Sequence, residues 1–146
     1  MKLLVLNGPN LNMLGIREPA LYGRRSYADL VRFIEETAKD ASIEIEVFQS
    51  NHEGALVDRI QAAMGVFDGL IVNAAAYTHT SVAIHDALKA VGLPVVEVHL
   101  TDPDTREPFR HVSYVKSAAL ATFAGYGFDS YARAIRYLSE NVKRGA

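Results

Sequence analysis

Two ionisable residues lie where an apolar run would not otherwise accept them. Glu97 and His99 are two apart in Val95-Val96-Glu97-Val98-His99-Leu100, a spacing that puts both on one face of a strand. A buried carboxylate and imidazole are costly unless hydrogen-bonded. Such a pair either satisfies itself structurally or performs acid/base work, since histidine changes charge near neutrality. A second apolar run ends in Asn73 and leads into Ala74-Ala75-Ala76-Tyr77-Thr78-His79-Thr80-Ser81. Small residues ahead of a helix let ligand oxygens approach backbone N–H groups. His79 is there either a ligand-facing donor or a capping, solvated histidine. Arg106 and Arg110, in Arg106-Glu107-Pro108-Phe109-Arg110-His111, form either a solvated basic loop or a clamp for an anion. The stretch from Asn7 to Gly23 carries Asn7, Asn10, Asn12, Arg17 and Tyr22 between glycines and prolines. A loop of that length is either a surface excursion or a binding lid.

Several chemistries are excluded. The chain has no cysteine, which removes disulfides, thiolate metal sites, Fe–S clusters and a cysteine nucleophile. His52, His79, His85, His99 and His111 show no metal-site spacing, and Asp102-Pro103-Asp104 is not a calcium loop, so no metal is expected. The first loop lacks the spacing of a P-loop, and Gly125-Tyr126-Gly127 lacks the third glycine of a dinucleotide fingerprint and reads as a turn. With 15 basic against 17 acidic residues, a net charge of −2 argues against a nucleic-acid partner. The opening apolar run stops at Asn7-Gly8-Pro9-Asn10, far short of a signal peptide, and no run approaches a membrane span. A cytoplasmic protein without membrane association is expected.

The elements that must position these groups alternate along the chain. Short apolar runs at 2–6, 43–48, 69–72, 94–100 and 119–123 predict strands. The first four read as buried on both faces, the Ala-rich last as weaker. Between them Leu30, Phe33, Ile34, Ala38 and Ala41 recur at helical spacing, as do Leu56, Ile60, Ala63 and Met64. Ile84, Ala87, Leu88 and Val91 repeat the pattern, and so do Tyr131, Ala134, Ile135, Leu138 and Val142. Asp86 lies opposite its own helix's apolar stripe, as a solvated acid or a subunit contact. Ser26 and Asn51 are expected N-caps, and Gly92-Leu93-Pro94 a helix stop. The 146 residues then form one α/β domain, 1–146. Its expected form is a flavodoxin-like, doubly wound, five-stranded parallel sheet of order 2-1-3-4-5 in three α/β/α layers. Ligands of such sheets bind beyond the strands' carboxyl ends at the switch point.

Taken together, five segments in order resemble type II 3-dehydroquinate dehydratase over essentially the whole chain. They are Asn7-Gly8-Pro9-Asn10-Leu11-Asn12, Arg17-Glu18-Pro19 with Tyr22-Gly23, 73–81, Glu97-Val98-His99-Leu100, and Arg106-Glu107 with Phe109-Arg110-His111. The resemblance implies a lyase that converts 3-dehydroquinate to 3-dehydroshikimate through an enolate, without cofactor, in the shikimate pathway or in quinate catabolism. It implies that Tyr22, as phenolate, removes the proton alpha to the ketone. Arg17, on the same lid (about residues 8–25), would stabilise that phenolate, and Asn10 would hold a water for the enolate. His99 would be the general acid, oriented by Glu97. Asn73, His79 and Arg110 would grip substrate hydroxyls and carboxylate, helped by backbone N–H groups of Leu100 and Thr101. Asp86 would reach a neighbouring subunit's site in a dodecamer of trimers. The chain departs from the family at Thr101-Asp102, usually Ser-Asn, where an inward Asp102 would weaken anion binding. A flavodoxin-like flavin or nucleotide module is the alternative from another class; it leaves Glu97, His99, Arg17 and Tyr22 without a purpose.

Overall fold

A computed structural model describes residues 1–16, 20 and 24–143. Arg17 and Tyr22, with Glu18, Pro19, Leu21 and Gly23 of the lid, lie outside the described residues. Five strands, β1 (Lys2–Asn7), β2 (Glu44–Gln49), β3 (Gly69–Asn73), β4 (Val95–His99) and β5 (Ala121–Ala124), form one parallel sheet. Its order is β2-β1-β3-β4-β5, as expected. Helices α1 (Tyr27–Asp40) and α4 (Asp129–Asn141) cover one face, and α2 (Glu53–Ala62) and α3 (Val82–Val91) the other.

Alternation along the central strands divides the core. Leu3, Val5, Ile71, Val96 and Val98 face α1 and α4, while Leu4, Leu6, Leu70, Val72 and Val95 face α2 and α3. Each such side chain, fully buried, stabilises the fold by about 1.5–3 kcal/mol. Strand β2 corrects the expectation of burial on both faces. It is the sheet edge, and its Glu44 is exposed while Glu46 pairs with Arg59 and Lys2. Charged side chains of this kind blunt an exposed edge. Ser26 caps α1 as expected, in a reciprocal box with Asp29 at 2.9 and 3.1 Å. Gly92 ends α3 in the left-handed region, φ 64°. Asn51 does not cap α2: His52 holds that position, and the Asn51 side chain is used elsewhere. Met64 lies beyond the end of α2 and is exposed rather than part of its stripe. No helix among the described residues is long and apolar enough to cross a membrane.

The chain passes from β1 outward to β2, then returns to β3 on β1's other side, so the ends of β1 and β3 form the switch point. Asn7 and Asn73 are partners in register there. Gly8 follows, its N–H donating to Asn73 O at 2.8 Å. A Cβ on Gly8 would stand 2.3 Å from the Ala74 carbonyl oxygen, so only glycine lets the two strand ends approach this closely.

Candidate active site

The cleft lies beyond the carboxyl ends of β1, β3 and β4. Asn10, Asn73, His79, His99, Leu100, Thr101 and Arg110, seven of the expected site residues, line it together with Arg106. Glu97 stands behind His99, in an adjoining recess. Asp86 is exposed on α3 and does not line this chain's own cleft.

Each group is held by the local chain. Asn10 adopts φ 69° at the start of the 3-10 turn Leu11–Met13, and its N–H donates to Asn51 Oδ1 at 3.0 Å. Gln49 Nε2 reaches the same Asn51 oxygen at 3.1 Å and Gly8 O at 3.1 Å. The loop after β1 is thereby clamped to the end of β2. Gly15 at the far side of that loop sits against Arg24: a Cβ there would stand 3.0 Å from Arg24 O. The two ends of the segment carrying Arg17 and Tyr22 are therefore adjacent, next to the cleft wall at Leu14. Arg25 stacks over Phe128, 3.7 Å from the ring centroid, and holds the returning end to the start of α4.

Below the strand ends runs a buried polar chain. Tyr131 O–H donates to Asn7 Oδ1 at 2.7 Å and accepts from Asn73 Nδ2 at 2.9 Å. Asn7 Nδ2 donates to the Tyr27 hydroxyl oxygen at 3.3 Å, and Asn73 Oδ1 accepts the Ala75 N–H at 3.2 Å. With its carbonyl committed to Ala75, Asn73 has the second hydrogen of its amide nitrogen left for a ligand. Burial pushes the Tyr131 phenol far above its ordinary range, despite the bond from Asn73. Tyr27 is raised too, burial outweighing its bond with Asn7. Neither phenol supplies a base near neutrality. Replacing Tyr131 with phenylalanine strands Asn7 Oδ1 and Asn73 Nδ2, each at a cost of about 1–3 kcal/mol. Chemical denaturation of Tyr131→Phe is expected to show that loss, and substrate affinity should fall as Asn73 loses its orientation.

Glu97 is the most enclosed ion at the site. It is 1% exposed and His99 8%. His99 Nε2 lies 2.9 Å from Glu97 Oε2, Thr122 Oγ1 donates to Oε1 at 2.9 Å, and Ser113 Oγ donates to Oε2. Burial alone would push the Glu97 carboxyl up. The bonds from His99, Ser113 and Thr122 outweigh it and hold the group below its usual range. Because an ionised carboxylate only accepts, His99 must carry its hydrogen on Nε2, leaving Nδ1 for the cleft.

His79 differs. Its Nδ1 donates to Val112 O at 2.8 Å, an acceptor only. Burial is the largest influence on its ring and lowers its proton affinity, the bond to Val112 notwithstanding. In the neutral ring Nε2 is a lone pair, so the donor expected at His79 becomes an acceptor for a hydroxyl. Arg110 pairs with Glu107 at 2.8 Å and remains in the cleft wall beside Arg106. Asp102 turns aside: its carboxylate caps the turn Pro103–Thr105 by accepting the Asp104 N–H at 3.0 Å. A cleft of amides, imidazoles and two guanidiniums suits a small, hydroxylated anion.

Sequence reasoning missed Ser113, Thr122, Asn7 and Tyr131 as members of the site, and left Arg106 outside its chosen set. Strand register was the available signal for Thr122, which is the partner of Glu97 on β5.

Comparison with known proteins gives a consistent picture. A family model described as "Dehydroquinase class II" matches residues 1–139. The "3-dehydroquinate dehydratase" of Geotalea daltonii is 52% identical, over 99% of this chain and 100% of its own length. "Catabolic 3-dehydroquinase 1" of Aspergillus terreus is 48% identical, over 97% of this chain and 93% of its own. The crystal structure of a type II dehydroquinase from Butyrivibrio crossotus superposes with TM-score 0.93 at 47% identity, covering 95% of this chain and 97% of that one.

Proposed function

The chain belongs to the class II dehydroquinase family, and on that premise we propose that its cleft dehydrates 3-dehydroquinate to 3-dehydroshikimate through an enolate. The His99–Glu97 pair, opening onto a cleft that also holds Arg106 and Arg110, is the observation that carries this reading. Tyr22, as phenolate stabilised by Arg17, takes the proton alpha to the ketone. The electron pair moves onto the carbonyl oxygen, and a water held by Asn10 stabilises the enolate. As the enolate collapses, the beta hydroxyl departs with a proton from the His99 imidazolium and leaves as water. Tyr22 then releases its proton and His99 regains one, so the enzyme is unchanged. Asn73 donates to a substrate hydroxyl, His79 accepts from one, and Arg110 with the N–H groups of Leu100 and Thr101 holds the carboxylate.

An elimination beside an existing ketone needs no cofactor. The whole chain, 1–146, acts as one catalytic domain in the cytoplasm, with neither nucleic acid nor membrane as partner. It works as a homododecamer of trimers, in which Asp86 approaches a neighbour's cleft. In support, Asp86 is exposed on α3, and the neighbouring His85 binds Tyr114 O at 2.9 Å in a segment that leaves Val112 and Tyr114 exposed.

Purified protein given 3-dehydroquinate should generate the ultraviolet absorbance of a conjugated enone. Folded, assembled protein that gives no such signal overturns the assignment. The reaction serves aromatic biosynthesis. The catabolic name of the Aspergillus terreus relative favours quinate breakdown as the second reading. Loss of the gene causing aromatic auxotrophy supports the first, and loss of growth on quinate alone the second.

A further inference from the structure

We infer that Ser113 and Thr122 are positioning residues for the general acid, their hydroxyls forming a clamp that keeps Glu97 an ionised acceptor and His99 in a single tautomer. The inference rests on the dehydratase reading of His99 and deepens it. Three donors converge on one buried carboxylate, whose two oxygens offer about four acceptor sites. Their directions are fixed. Ser113 Oγ accepts the Lys116 N–H at 3.0 Å, so its own hydrogen goes to Glu97. Parallel pairing of β4 with β5 puts Thr122 beside Glu97 in register. Ser113 comes from a loop, but that loop is pinned on both sides of it. His79 donates to Val112 O at 2.8 Å, and Tyr114 N–H donates to Thr78 O at 2.9 Å.

Without the two hydroxyls, the buried Glu97 would keep its desolvation and lose two of the three hydrogen bonds that offset it. It would then take up a proton at higher pH. A neutral Glu97 no longer requires hydrogen on His99 Nε2, nor does it stabilise the imidazolium that donates to the departing hydroxyl. Among the described residues, the other titratable groups around this recess are His79 and Arg110, His111 and Lys116 from the loop, and Asp102 and Asp104 from the turn after β4. Neither substitution below alters them, so a changed titration reports on the hydroxyls. The clamp also explains why a loop lining the substrate cleft at Arg110 continues three residues further into the recess behind the histidine.

The test compares the parent enzyme with the double variant Thr122→Val/Ser113→Ala and with Thr122→Ser, which keeps a hydroxyl. Measured are kcat, KM, thermal unfolding and, across pH, the 15N resonances of the histidine rings. In the double variant the pH at which acidification removes the His99 Nε2–H signal should rise by about one unit, a tenfold change in the protonation equilibrium of Glu97. There kcat should fall while KM holds, and Thr122→Ser should match the parent. A double variant that keeps the Nε2–H signal down to the parent's pH overturns the clamp. So does a loss of kcat that follows a lowered Tm while that pH stays in place. A parent that does not turn over 3-dehydroquinate overturns the dehydratase reading instead, and the resting-state 15N spectra still decide the clamp.

Discussion

His99→Ala lowers kcat by about 10²–10⁴-fold, the range that a general acid contributes, while the protein stays folded and still binds substrate. Expulsion of hydroxide from the enolate requires a proton at the leaving oxygen, and His99 is the imidazole in the cleft whose partner is an ionised, buried carboxylate. The fold should survive because Glu97 keeps the donors Thr122 and Ser113. The usual reason for collapse after losing half of an ion pair is a buried charge with no partner, and here two of the three hydrogen bonds to Glu97 remain. Arg106 and Arg110 also remain in the cleft wall, so KM should change far less than kcat. Initial rates from enone absorbance, with thermal unfolding run alongside, separate the two effects. A near-parental rate would remove His99 from the role of acid.

Tyr22→Phe removes the proposed base and is expected to lower kcat by a comparable factor, about 10²–10⁴, with substrate binding preserved. A phenol with an ordinary pKa of about 10 is scarcely ionised at neutral pH. It acts as a base only with a cation such as Arg17 beside it, which lowers an acidic group's pKa by about 1–3 units. Neither phenol described under the switch point can substitute. Tyr131 and Tyr27 are both held protonated by burial, and Tyr131 is locked between two asparagines. Exchange of the substrate's alpha proton with deuterium from solvent gives an independent check. It should cease in Tyr22→Phe and persist in His99→Ala, where the enolate still forms. Exchange that continues in Tyr22→Phe would place the base elsewhere.

Much of this was legible in the residue order, because the governing patterns are local. Strand and helix periodicities lie within ten or so residues, and their alternation implies the parallel sheet and its switch point. The pairing of Glu97 with His99 follows from a spacing of two on one strand. What escaped depends on contacts between distant segments. Asn51 has the look of an N-cap, yet its carbonyl serves Asn10, 41 residues away. The edge position of β2, and with it the exposure of Glu44, follows from strand order rather than from β2's own residues. Ser113 and Thr122 reach Glu97 only through a pinned loop and a strand register. The role of His79 turned on a carbonyl 33 residues away, which sets its tautomer.

The hydrogen bond from Tyr131 to Asn7 joins residues 124 apart in the chain, which gives the enzyme a timetable as well as a shape. Asn73, which contacts substrate in the proposed reaction, is oriented through Tyr131, and Tyr131 belongs to α4, the last of the described helices. Contacts this remote in sequence close late, after the loop entropy between them has been overcome. On the ribosome, a chain halted before α4 emerges holds Asn7, Asn73, His79 and Glu97 already, yet cannot seat them. Catalytic competence thus waits on α4, and a product that stops before Tyr131 is expected to be inactive rather than partly active.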